Sequence, residues 1–174
     1  MLLNEWDIDL EETMSPVGLC SIIENRCQPE VNTSISHIDL YFTQLSGYNM
    51  EIPDSALELL QILYSKLQDE VEHIFRKESG LIYPGIKKTA EGFTIEKTAS
   101  ETIEKTQQVI TNLLLKIRQL LNNYVIPQEA SREWKDCVHE FYQLEIKLHR
   151  WIYIEQSMLY PAITNKHSDS QKNK

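Results

Sequence analysis

Glu145-Ile-Lys-Leu-His149-Arg-Trp151-Ile-Tyr-Ile-Glu155-Gln-Ser-Met-Leu159-Tyr160-Pro161 sets one acid on an otherwise apolar helical stripe. Leu144, Leu148, Trp151, Ile152, Glu155 and Leu159 recur at spacings of three and four, the pattern of a helix packed into a bundle. An earlier stretch repeats the arrangement. Leu60, Leu63, Tyr64, Leu67, Val71, Ile74, Glu78 and Leu81 form a stripe, and Glu78-Ser-Gly-Leu-Ile-Tyr-Pro84 matches Glu155-Gln-Ser-Met-Leu-Tyr-Pro161. In both, proline follows the glutamate by six residues. A buried ionised carboxylate needs an offset for its desolvation. Three offsets are open: a metal ion, a protonated acid with a raised pKa, or donors such as Tyr64, Thr102, Thr106 and Cys27. A carboxylate near the bundle end that reaches water needs none.

The rest of the chain supplies the other helices. Ser15-Pro16 reads as a helix start after an acidic arm at residues 1–14. Leu19, Ile22, Ile23 and Cys27 have helical spacing, and Ile35, Ile38, Tyr41, Phe42 and Leu45 resume it after Pro29. That predicts a kinked first helix or two successive ones, ended by Gly47. Ser55 to Glu58 and Thr98 to Glu101 have capping-box spacing for the next two helices, the first expected to end near Ser79-Gly80 and to be followed by a loop through Pro84-Gly85 and Glu91-Gly92. Ile103, Thr106, Ile110, Leu113, Leu114, Ile117 and Leu121 line the third helix, and Pro127 separates it from the fourth. The expected fold is all-α, an up-down-up-down four-helix bundle over residues 15–164, with a disordered polar tail at 165–174.

The two glutamate-proline endings, Leu-Tyr64-Ser-Lys-Leu, and the Pro127-Gln-Glu-Ala-Ser-Arg-Glu-Trp134-Lys135 entry to the last helix together resemble hemerythrin-like di-iron proteins, most closely the iron-sulfur cluster repair branch. In that family two helices end in His-x-x-x-Glu-x-x-[Ile/Leu/Val]-Leu-Phe-Pro. The resemblance implies a di-iron centre built from imidazoles and bridging carboxylates. Only Glu78 and Glu155 match that metal site. Trp151 and Ile74 stand where the family has histidine, Tyr64 aligns with the mid-helix histidine, Thr102 or Ile103 with the third-helix one, and Cys27 with the first-helix one.

His73 and His149 lie one and two positions off the family's histidine positions, beside the inner stripes, and are spare ligands only if the backbone turns them inward. His37, His139 and His167 have no ligand-type cluster around them. Trp151 fills the volume an imidazole and metal would occupy, and Tyr64 reads as a donor to a glutamate in preference to a phenolate ligand.

The chain has 174 residues, 41% of them hydrophobic, which suffices for one core. A net charge of −9 argues against nucleic acid and anionic membrane surfaces. No signal-like start, no spanning run and three cysteines, Cys20, Cys27 and Cys137, without metal spacing lead to a cytoplasmic expectation with reduced thiols. No nucleophile elbow or phosphate-cradling glycine loop points to an enzyme. The expectation is a degenerate repair-protein-like bundle without an intact di-iron centre and with no cofactor, acting by binding, as a homodimer or as partner of an intact paralogue. The alternative is an altered metalloprotein in which Glu78 and Glu155, with some of Tyr64, His73, Cys27 and His149, hold iron or another metal. Oxygen, nitric oxide or iron handling would then carry over from the resemblance. A weaker third reading is an emptied core that takes a small apolar ligand.

Overall fold

A computed structural model describes residues 15–45, 53–89 and 93–164. The expected arm at 1–14, the tail at 165–174, the Gly47 stop and the Glu91-Gly92 loop lie outside these residues. Among the described residues the chain is all-helical, a bundle of four long helices. Helix α1 covers residues 16–45, α2 residues 54–89, α3 Lys97–Leu120 and α4 residues 132–164.

Ser15 caps α1, its Oγ accepting from the Gly18 N–H at 3.0 Å, with Pro16 in the first turn. Ser131 caps α4 in the same way through the Trp134 N–H. The two expected capping boxes do not form. Helix α2 starts after Pro53 and α3 after Glu96, and neither has a side-chain cap, because each helix begins earlier than Ser55 and Thr98 would dictate.

Three of the helices contain a π-helical turn that ends two residues before a proline: Ile23–Cys27 in α1, Glu78–Ile82 in α2 and Glu155–Leu159 in α4. The N–H groups of Gln28, Tyr83 and Tyr160 donate to carbonyls five residues back, on Ile23, Glu78 and Glu155. The next residue in each case is a proline: Pro29, Pro84 and Pro161. A proline ring crowds the carbonyl four residues back and removes a bond to it. One extra residue in the preceding turn relieves that crowding and lets the helix continue. Pro29 therefore does not split α1, and α2 runs on through Pro84 to Thr89 instead of ending near Gly80. The extra residue also shifts which side chains face the core. Leu81, expected on the inner stripe, is 71% exposed, while Ile82 and Tyr83 turn inward.

Contacts between helices run in opposite sequence directions. Between α1 and α4, Glu30 meets Arg150 at 3.6 Å, Ser34 meets Lys147 at 2.6 Å and His37 meets Glu140 at 3.4 Å. Between α1 and α2, Gln28 meets Ser79 at 3.1 Å and Asp39 meets Tyr64 at 2.9 Å. Leu67, Val71, Ile110, Leu144 and Leu148 fill the centre. Ile110→Ala is expected to cost about 2–5 kcal/mol in urea unfolding, because it empties a fully buried site. Ile62→Ala, on the exposed face of α2, should stay within about 0.5 kcal/mol of wild type.

Candidate functional site

The π-turns bring Glu78 and Glu155 together at one end of the bundle. Each glutamate opens its turn, and both side chains are fully buried, so neither reaches water at the bundle end. The tyrosine five residues after each glutamate also points inward. Tyr160 Oη donates to Glu78 Oε1 at 2.8 Å. Tyr83 Oη lies 3.1 Å from Glu78 Oε2 and is hydrogen-bonded to Glu155 Oε1 as well. From α3, Gln107 Nε2 donates to Glu155 Oε2, and Gln107 Oε1 accepts from Gln156 Nε2 at 2.8 Å.

Counting hydrogens constrains this network. A tyrosine hydroxyl carries one hydrogen and cannot donate to two carboxyl oxygens at once. Two assignments satisfy every contact: a protonated Glu155 that donates to Tyr83 Oη while Tyr83 donates to Glu78 Oε2, and its mirror with the proton on Glu78. In both, Tyr160 donates to Glu78 Oε1 and Gln107 to Glu155 Oε2. The electrostatics favour the first. Burial raises the Glu78 pKa to about 7, against the pull of hydrogen bonds from Tyr160, Glu155 and Tyr83. Burial also drives Glu155 well above the ordinary carboxyl range, and the adjacent Glu78 charge adds to the rise. The two acids titrate as a pair. Burial and the neighbouring acids likewise raise the Tyr83 and Tyr160 hydroxyls, so both remain protonated donors.

Four residues before each glutamate the helices present Ile74 and Trp151, both buried. The Trp151 ring meets Phe75 edge-on at 4.9 Å, and its indole N–H, near Glu155 but outside hydrogen-bonding geometry, slightly favours the ionised form of that acid. In α1 the corresponding places hold Leu19 and Ile23, so the third π-turn opens on an apolar residue, and its acid, Glu24, pairs with Lys87.

The other residues singled out from the sequence lie elsewhere. Tyr64 Oη lies 2.9 Å from both the Ile35 carbonyl and Asp39, which share its one hydrogen, and it meets no glutamate. Thr102 and Thr106 donate to carbonyls of their own helix. His73 is exposed on α2. His149 lies 3.4 Å from Glu145, whose carboxylate pairs with Arg118. Cys27 is buried near the pair, its thiol pushed up to about 12 by burial first and by Glu30 next. Cys20, also beside the pair, and Cys137 are raised to about 12 as well, so all three thiols stay protonated at neutral pH. Tyr83, Tyr160 and Gln107 were not singled out from the sequence. The signal was present: both tyrosines follow the glutamates in the matched endings, and Gln107 is a polar residue on the apolar Ile103-Ile110 stripe.

No known family model matches the chain. It is 22% identical over 149 residues to the iron-sulfur cluster repair protein ScdA of two strains of Staphylococcus epidermidis, covering 84% of this chain and 66% of each relative. The ScdA of Staphylococcus haemolyticus is 20% identical over 159 residues, which is 90% of this chain and 71% of that protein. The chain is a distant homologue of iron-sulfur cluster repair proteins. It spans slightly less than two thirds of the Staphylococcus epidermidis relatives' length.

The pair makes stability pH-dependent with a definite sign. Between the unfolded carboxyl pKa of about 4.5 and the raised folded values, the folded state binds more protons, so stability falls as pH rises. The loss begins above the unfolded carboxyl pKa and grows through neutral pH as the pair gives up its protons. Glu155→Gln mimics the protonated acid, with an N–H for Tyr83 and a carbonyl for Gln107. It is expected to stabilise the protein at pH 8 and to flatten the profile. Glu78→Gln should remove its own share of the pH dependence and stabilise less at pH 8 than Glu155→Gln, because Glu78 is the less strongly raised acid of the pair. Equal effects of the two replacements in pH-dependent urea unfolding would contradict the proton assignment. Tyr160→Phe should cost about 1–3 kcal/mol by leaving Glu78 Oε1 without its donor.

Proposed function

We propose that this chain is a hemerythrin-like four-helix bundle in up-down-up-down order, with a continuous first helix, whose inherited acid pair is kept as a tyrosine-held, proton-sharing core instead of a metal centre. It acts by binding, as a homodimer or beside an intact paralogue, and not by metal or redox catalysis. The inter-helix contacts, which run in opposite sequence directions, and the distant homology to repair proteins support the fold and lineage.

The observation that carries the reading is the Tyr83 hydroxyl bridging both carboxyls. The residues do not fit a histidine-carboxylate di-iron centre. Ile74 and Trp151 offer no lone pair where nitrogen ligands belong, and all four carboxyl oxygens are engaged by O–H or N–H groups. The family's motif has phenylalanine where Tyr83 and Tyr160 stand. Two added hydroxyls thus supply the donors that bare carboxylates would otherwise lack.

One observation favours the rival reading, an altered iron site. Two carboxyls and two phenols converge, and hard oxygen donors suit ferric iron. Binding there would have to ionise groups whose pKa values are all raised by burial. Protein produced with excess iron is expected to be colourless, to contain iron well below one equivalent and to melt unchanged after chelation. Stoichiometric iron with a phenolate-to-iron band would overturn the proposal. Replacing Ile74 and Trp151 together by histidine (Ile74→His, Trp151→His) should create iron uptake. Failure to do so in a folded variant would count against the alignment with a former metal site.

A further inference from the structure

A second polar feature of α4 lies ten residues before Glu155, about 15 Å along the helix axis. Tyr142, Ile146, His149 and Tyr153, spaced by four, three and four, form a stripe on α4 distinct from the core stripe. With Arg118, Tyr124 and Arg150 they line a cleft of about 730 Å³. That size falls in the range of small-molecule sites, about 300–1,000 Å³.

The cleft is built on a sealed acid. Glu145 is almost fully buried, pairs with Arg118 through both carboxylate oxygens and accepts the Tyr124 hydroxyl. Its charge is spoken for. What the cleft presents is aromatic and basic: Tyr142 and Tyr153 are each about half exposed, against an average expectation of burial for such large rings. The Arg118 side chain is also 41% exposed, and a guanidinium has five donors, not all of which the Glu145 contacts use. Of the two arginines lining the cleft, Arg150 is paired with Glu30 at 3.6 Å, so Arg118 is the one that offers spare donors to a ligand. His149 stays neutral near pH 7, because burial and Arg118 lower its pKa.

The backbone beside the cleft is strained in a way that serves it. Asn122, Asn123 and Tyr124 have φ of 51°, 55° and 64°, three successive left-handed residues without a glycine. Asparagine tolerates this region, whereas a bulky tyrosine there is an outlier. The turn sets the Tyr124 ring edge-on to Tyr142 at 5.5 Å and its hydroxyl on Glu145. Strain of this kind collects at ligand clamps.

We infer that this cleft binds a small planar aromatic anion, a ring carrying a carboxylate or sulfonate, stacked against Tyr142 and Tyr153 with its charge on Arg118. The site is separate from the acid pair and does not depend on how that pair is read. The test titrates the full chain with anilinonaphthalene sulfonate and, in parallel, with naphthylmethylammonium, following fluorescence and the His149 ring resonances. One saturable site is expected for the sulfonate, with His149 shifting along the titration, and affinity at least about tenfold weaker for the cation. Tyr142→Ala and Tyr153→Ala, both at exposed positions, should each weaken the sulfonate about tenfold while melting stays unchanged, and Ile62→Ala on α2 should leave it unaltered. Absence of binding, equal affinity for the cation, or binding indifferent to both tyrosine replacements would overturn the inference.

Discussion

One hydrogen atom on the Tyr83 hydroxyl stands between two carboxyls that the fold has removed from water. Two ionised acids at that separation, without solvent, would be among the least favourable arrangements a small bundle could hold. Raised carboxyl pKa values, which keep a proton on the pair, and a hydrogen-bond partner for every carboxyl oxygen offset that cost. Each partner comes from a different position along the chain, so the network ties α2, α3 and α4 together at one end of the core.

The glutamates and tyrosines of that network sit in the turns before two of three prolines. Pro29, Pro84 and Pro161 each force an extra residue into the turn before them, and the resulting π-turns point the first and last residues of the repeat inward together. In an uninterrupted α-helix, residues five apart, such as Glu78 and Tyr83, lie about 140° apart around the axis. The π-turn closes much of that angle. The same device in α1 turns in Ile23 instead of an acid, so the pocket is polar on two helices and apolar on the third. Burial among aliphatic and aromatic groups raises both carboxyl pKa values against the pull of the neutral donors and the indole N–H.

Much of this was legible in the sequence. The apolar stripes located the core helices, and the paired glutamates stood out because an acid on such a stripe demands an explanation. The inward placement of Ile74 and Trp151 followed from helical periodicity alone. The π-turns were not legible, because proline in a sequence reads as a stop, and its tolerance depends on one backbone rearrangement that leaves no periodic trace. Leu81 was misplaced for that reason, and α2 was cut short. Tyr64, Thr102 and Thr106 were reasonable donors by composition, yet nearer acceptors took them: Asp39 and the Ile35 carbonyl for Tyr64, carbonyls within α3 for the threonines. The donors that do reach the acids sit mostly within the very endings that carry the family resemblance.

The most direct measurement is the carboxyl carbon shift of Glu78 and Glu155 across pH by nuclear magnetic resonance, with and without added ferrous iron. The account predicts that Glu155 stays protonated through neutral pH, that Glu78 titrates well above the ordinary carboxyl range, and that iron leaves both signals unchanged. Two carboxyls already ionised by about pH 5, or signals broadened stoichiometrically by iron, would contradict it.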